Sequence, residues 1–459
     1  NNLLDQINAG DASDQRNDGG MDENSIRSVF GRINYNFAER YLLEVTLRYD
    51  GSSRFPKNNR FELFPSVSAG WRISEEDFFN FDPISNLKLR ASWGHLGNQE
   101  IGNYAYQNKY SLGRLYGFGN IMYSGIAENY SMSNSTIGWE NTEMVNAGLD
   151  LNMLNNRLSF TFDYFVRNTR DILMSLPQPT ILGAYAPVIN AGAVRNKGFE
   201  MQLGWNDQLK DFNYYANLSV SRVKDKITDL KGADTPGRSV GDPINNIFGL
   251  EAIGLFASEE EIKNAPNQDY TGGASPGDIR YKDQNGDKKI TAEDRVNLGN
   301  TFPGVTFGLQ LGASYKGFDI ATTIHAVADV QGYLTGTAAQ AFANGASALE
   351  AQKDRWTPNN LNASYPRLSL NNASRNYTQT NSFFMENASY IKMRNLQIGY
   401  SLPKSILSNL FVEKCRFYVN ADNLFTITSF RGFDPETPWG GGNIYPMVTS
   451  YTFGLNLVF

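Results

Sequence analysis

Five residues in one short stretch have the types and spacing to hold a hard cation. In YKDQNGDKKITAED, Asp283, Asn285 and Asp287 take alternate positions, Lys289 follows with its carbonyl, and Asp294 closes the stretch. That is the ligand spacing of a twelve-residue EF-hand-type calcium loop, in which side-chain and carbonyl oxygens surround the ion. Lys288 stands where such a loop has its turn glycine, and Asp294 where it has a bidentate glutamate. The alternative reading is an Asx-rich turn that needs no metal. Elsewhere the chemistry is sparse. Gly273, Ser275 and Gly277 spell G-x-S-x-G, but Pro276 follows the serine and no strand precedes it, so the strand–turn–helix context of a nucleophile elbow is missing. Two histidines, His95 and His325, and one cysteine, Cys415, offer neither a zinc cluster nor an intrachain disulfide. No catalytic constellation emerges, and the expectation is a protein that is not an enzyme. Trp356 and Trp439 lie between strand-like segments, where a ring can stack on a sugar or simply pack the loop. Asn362, Asn372 and Asn387 open N-x-[ST] sequons, inert outside a eukaryotic secretory route.

The elements that would position these residues are strands. Tyr41, Leu43, Val45, Leu47 and Tyr49 alternate with Leu42, Glu44, Thr46, Arg48 and Asp50. This period of two puts one set on each face of an extended chain. About thirteen such segments recur, near 26–37, 41–50, 62–73, 87–94, 143–154, 157–168, 198–206, 212–224, 304–315, 318–328, 389–401, 414–424 and 450–459. Asn155-Asn156 and Lys316-Gly317 sit between two pairs of them as tight hairpin turns. Short connections interleave with long ones, at 95–142, 169–197, 225–303, 329–388 and 425–449. Outer-membrane barrels have this asymmetry, with tight periplasmic turns and long extracellular loops.

Composition agrees with a barrel. Of 459 residues, 41% are hydrophobic, and no apolar run approaches the roughly 18 residues of a membrane helix. Barrel strands average to ordinary hydropathy because lipid-facing and lumen-facing residues alternate. The net charge of −6 gives no support for nucleic-acid binding, which calls for a basic stripe. Phe37, Tyr41, Trp71, Trp205, Phe212, Tyr315, Phe318, Tyr400 and Phe459 all share the apolar parity at the ends near short turns, which reads as an aromatic girdle. The final strand, Tyr451 to Phe459, ends on an aromatic residue. On the same parity, the Cys415 thiol is expected to face lipid. An odd strand count implies a missing preceding strand, so residues 1–25 are expected to be the tail of an extracellular loop and the chain a fragment or half of a split barrel.

Several phrases carry a family resemblance: RYLLEVTLRYDGSSRF, FPSVSAGWRISEE, NKGFE, GDIRYKDQNGDKKITAEDRVNLGNTFPGVTFGL, YIKMRNLQIGYSLP and FYVNADNLFTIT. Together they resemble the SusC/RagA-like TonB-dependent outer-membrane transporters over nearly the whole chain. The resemblance implies that residues 26–459 are the C-terminal part of a transmembrane antiparallel β-barrel of about 22 strands. It also implies a plug and a TonB box outside this sequence, and a multi-pass location in the outer membrane of a Gram-negative bacterium. The implied partners are a SusD-like surface lipoprotein, the TonB complex, outer-membrane lipid, and an oligosaccharide or oligopeptide substrate. The family's calcium-loop-like stretch maps onto Asp283, Asn285, Asp287 and Asp294, within the extracellular 225–303 loop. A barrel serving only as a structural component of a larger assembly would use the same strands.

Overall fold

The computed structural model describes residues 20–459 apart from 129–130, 177–178, 180, 182, 233–237, 371–374, 408–411, 442–443 and 446. Most of the expected 1–25 segment and the Asn372 sequon lie outside the described residues. Thirteen strands form one antiparallel sheet in strict chain order. They are β1 (Ile26–Phe37), β2 (Tyr41–Ser52), β3 (Phe61–Arg72), β4 (Ile84–Asn98), β5 (Glu140–Met153), β6 (Leu158–Arg170) and β7 (Ala193–Leu209). After these come β8 (Phe212–Asp229), β9 (Val305–Tyr315), β10 (Phe318–Ala328), β11 (Tyr390–Ser401), β12 (Lys414–Thr428) and β13 (Ser450–Val458). All thirteen expected strands are present. Several run further at the long-loop end than alternation alone marks, so the expected 225–303 loop begins only after Asp229.

Register decides what each face presents. Val45 pairs with Ile33 and Val67, Leu149 with Leu89 and Phe162, and Leu309 with Leu218 and Ile324. Phe417 pairs with Tyr400 and Leu455. Most ladders keep their register from end to end and the others shift once, so the apolar parity carries across the wall from β1 to β13. Among the described residues most of that face is uncovered: Leu455 is 51% and Phe453 78% exposed. A continuous uncovered apolar surface of this extent belongs against lipid. Among the described residues no helix is long and apolar enough to cross a membrane.

At the short-turn ends the girdle aromatics touch across strands, Phe318 on Tyr400 with ring centroids 4.4 Å apart and Phe212 on Tyr315 at 6.4 Å. The Lys316-Gly317 turn has φ of 45° and 91°, the paired left-handed conformation of a type I′ hairpin. The Asn155-Asn156 turn is longer, with Leu154 also at positive φ. On the polar face Gly454 lies under the Tyr418 ring, and a Cβ there would come within 2.1 Å of it.

Cys415 departs from expectation. It has the apolar parity, opposite Leu457, but is only 7% exposed. The Lys404–Leu407 helical turn packs beside β12, and Leu402 N donates to the Cys415 carbonyl at 2.9 Å. The thiol is therefore covered by the chain and does not face lipid.

Candidate functional site

The long loops are not independent. Residues of the β8–β9 connection (Ile247, Leu250, Ile279, Tyr281, Ile290) and of the β10–β11 connection (Tyr333, Ala339, Tyr365, Phe384) share one buried core. The β12–β13 connection joins them through a small sheet in which Gln331–Leu334 pairs antiparallel with Met385–Asn387 and parallel with Trp439–Gly440. Three stretches far apart in sequence thus make one module at the long-loop end of the wall.

Buried ionic groups fasten the module. Arg367 grips Asp278 with both prongs, Nε to Oδ1 at 2.7 Å and an Nη to Oδ2 at 3.1 Å. Asn376 donates to the same carboxylate at 3.2 Å and accepts from Ile279 N at 2.8 Å. Burial lifts the Asp278 carboxyl above the usual carboxylate range, with Arg367 and Asn376 pulling the other way. Arg431 is paired with the buried Glu386. Lys392, 3% exposed at the outer part of β11, lies 3.1 Å from Glu436 and 3.8 Å from Asp434 in the β12–β13 connection. A bidentate arginine and charge pairs desolvated together fix geometry as well as charge.

The five sequence-chosen ligands are brought into one loop, and the side-chain oxygens of four of them meet backbone amides. Asp283 accepts from Gly286 N at 2.6 Å and Lys288 N at 2.8 Å. Asn285 accepts from Asp287 N at 3.0 Å, and Asp287 from Lys289 N at 2.8 Å. Asp294, fully buried, accepts from Gln284 N at 2.8 Å and Thr291 N at 2.7 Å. Lys288, in the glycine position, adopts φ of 63°. Among the described residues no group of three or more His, Cys, Asp or Glu side chains is arranged to hold a metal ion. Ile290, between the polar positions, is part of the module core.

The remaining candidates also resolve into structure. Gly273 and Gly277 of G-x-S-x-G have φ of 86° and 88°, and Ser275 N donates to Asp278. The motif is a turn that delivers Asp278 to Arg367. Trp356 packs over Gly277, where a Cβ would approach its ring to 2.5 Å. Trp439 stacks on Tyr333 with centroids 5.1 Å apart and stays half exposed.

The polar face of the wall carries charges held by neighbours. Arg90 bridges Asp150 (2.8 and 2.9 Å) and Asp163 (3.0 and 2.9 Å), and Arg416 is held by Asp319 (Nε 2.9 Å) and Gln397 (2.8 Å). A recess of about 560 Å³ opens among Glu44, Arg48, Asp50, Ser66, Ser68 and Ser92. Sequence reasoning found these faces but not the shared module core. Its signal was the pair of short apolar runs at 247–256 and 381–385, which look like isolated loop packing until the loops meet.

An antiparallel wall with one apolar face, one polar face and a folded crown on its long-loop end defines a membrane β-barrel protein. Residues 1–424 match the family described as TonB dependent receptor-like, beta-barrel, and the chain belongs to that family. It is 30% identical over 473 residues to TonB-dependent receptor P3 of Formosa agariphila, spanning 96% of this chain and 46% of that protein. Its identity to TonB-dependent receptor SusC of Bacteroides thetaiotaomicron is 30% over 451 residues, 95% of this chain and 44% of SusC. The RagAB peptide transporter structure superposes with a TM-score of 0.80 at 26% identity, covering 95% of this chain and 48% of that one. The chain spans about half the length of the curated relatives it matches.

Proposed function

We propose that this chain supplies the C-terminal part of the barrel of a SusC-like, TonB-dependent importer in the outer membrane of a Gram-negative bacterium. In this reading the importer takes up oligosaccharides or oligopeptides together with a SusD-like surface lipoprotein. The observation that carries it is the wall's two-faced register: an uncovered apolar belt outside, and fixed polar and charged side chains inside. Such a wall can surround a polar path through lipid. The crown supports the lipoprotein part, because one cross-braced module is a firmer seat for a lid than three separate loops. It also offers the exposed, stacked Trp439–Tyr333 pair as a contact for a ring or an apolar side chain. Family likeness to SusC and RagAB supports the substrate class.

Calcium at Asp283, Asn285, Asp287, Lys289 and Asp294 belongs to the same proposal. Each carboxylate keeps lone pairs beyond those its amide donors use. An ion there would tighten a loop that already closes on itself.

The test is extraction of the native protein in mild detergent, with uptake of labelled oligosaccharide and oligopeptide pools by cells carrying or lacking it. Co-purification of a surface lipoprotein and loss of uptake of one pool are the expected results. A barrel that purifies alone, with both pools entering equally in its absence, would refute the importer reading.

A further inference from the structure

The apolar belt changes character on β7 and β8. Outward positions from the short-turn end are Leu209, Asp207, Trp205, Leu203, Met201 and Phe199 on β7, and Phe212, Tyr214, Ala216, Leu218 and Val220 on β8, so that above Asp207 at the turn the run is apolar. The β8 run from 212 to 220 is about the length a tilted strand needs to cross the hydrocarbon core. The next outward positions are all cationic and exposed: Lys197 and Arg195 on β7, then Arg222, Lys224 and Lys226 on β8.

Their register concentrates the charge. Lys197 lies directly opposite Lys224, and Arg195 opposite Lys226. Like charges facing each other across a ladder are destabilising unless an anion sits between them. Among the described residues no carboxylate forms an ion pair with any of the five, and Arg195 is held only by the Asn168 amide oxygen at 2.7 Å. The acids near this patch are taken elsewhere: Glu143 of β5 is turned to Arg170 and to Trp93 Nε1, and Asp229, opposite Ala193 at the end of β8, is paired with Lys231. Asp225 points to the other face and accepts from Ile244 N. On the far side, β9 offers Val305 opposite Arg222, and Phe307 below it, with no charge.

We propose that this patch binds the phosphate of an anionic lipid headgroup in the leaflet at the long-loop end. The inference rests on the apolar belt facing lipid. Five cations begin where that belt stops, at the edge opposite the aromatic girdle, which is the depth of a headgroup. A lipid seated there has its chains against Val220 and Phe199 and its phosphate between Lys197, Arg222 and Lys224. Arginine forks and lysine ammonium groups are the partners phosphate oxygens take.

The full-length protein would be inserted into vesicles of phosphatidylcholine containing a minority of phosphatidylglycerol, gently extracted, and its retained lipids counted by native mass spectrometry. Wild type should keep phosphatidylglycerol well above its share of the vesicle. The variant Lys197→Gln/Arg222→Gln/Lys224→Gln should lose that preference by roughly fivefold per cation removed, while its heat-dependent gel mobility stays that of a folded barrel. Asn213→Gln on the other face of β8 should leave it unchanged. Retention of the two lipids in their vesicle proportions by wild type overturns the proposal. So does displacement of phosphatidylglycerol by inorganic phosphate but not by chloride at equal ionic strength, because the patch would then be a site for free anions. Failure of wild type to insert into these vesicles would instead bring down the lipid-facing reading itself.

Discussion

The wall and the crown solve the same problem in opposite ways. In the wall, strands pair with their neighbours in sequence, and backbone groups are satisfied by long ladders with one shift or none each. The crown brings together stretches about a hundred residues apart, as in the Ile279–Asn376 and Asp278–Arg367 contacts, and satisfies its backbone with Asn and Asp side chains. Charge follows suit. Apart from the outward cations of β7 and β8, charges such as Arg90 and Arg416 line the polar face of the wall and are partly exposed, whereas Asp278, Asp294, Glu386, Lys392 and Asp434 are buried in or against the crown. Local periodic order therefore makes the wall tolerant of change on one face only, while the crown depends on single buried contacts.

The sharpest break in this comparison should come from the wall. Leu455→Arg puts a charge on the lipid face opposite Phe417, and should cost up to about 4 kcal/mol if it lies near the midplane. Thr452→Arg, on the polar face opposite Asn420 and four rungs from Arg416, should be far milder. It is a better control than Asn456→Arg, which would set an arginine directly opposite Arg416. Equal loss of folded barrel on gels for the Leu455 and Thr452 variants would refute the alternation.

In the crown, Arg367→Ala strands the buried Asp278, and should cost about 3 kcal/mol, the low end for such pairs because Arg367 is partly exposed. The expected readout is proteolysis of both the 230–304 and 329–389 connections while the wall stays intact. Cleavage confined to 350–370 would show that the loops fold separately.

Asp278→Asn should be gentler. Its Oδ1 keeps the bonds from Arg367 Nε and Asn376, its Nδ2 gives up those that Oδ2 accepts from Arg367 Nη and Ser275 N, and the change removes a charge that burial disfavours. The pH dependence follows the same sign. The folded carboxyl binds its proton more readily than the unfolded one, so its contribution is fully present below the ordinary carboxylate range and is lost as pH rises through the raised folded value. The wild-type minus Asp278→Asn difference in protease protection should therefore shrink from mildly acidic to neutral pH. A difference that grows over this range would mean that the Arg367 pair dominates.

Calcium should have the smallest effect, since the carboxylates of the 283–294 loop already accept amide hydrogen bonds. Under the proposal, chelation increases cutting within 277–299 and leaves the wall untouched. Identical cutting with and without chelator removes calcium from the account.

The sequence by itself determined the wall: side chains two residues apart share a face whatever the strand packs against, so Tyr41 to Tyr49 and Tyr451 to Leu457 announce their faces without reference to any neighbour. It also determined the Asx-rich turn at 283–294, because those side chains bond to amides within a few residues. Tertiary structure alone decided the rest. Cys415 is covered by a helical turn whose packing is not coded in strand parity. Arg367 and Asp278, or Lys197 and Lys224, meet only through chain crossings and register. Periodicity is a property of one segment, but a shared core, a buried ion pair or a charged patch belongs to segments in contact, and nothing local records which segments those are.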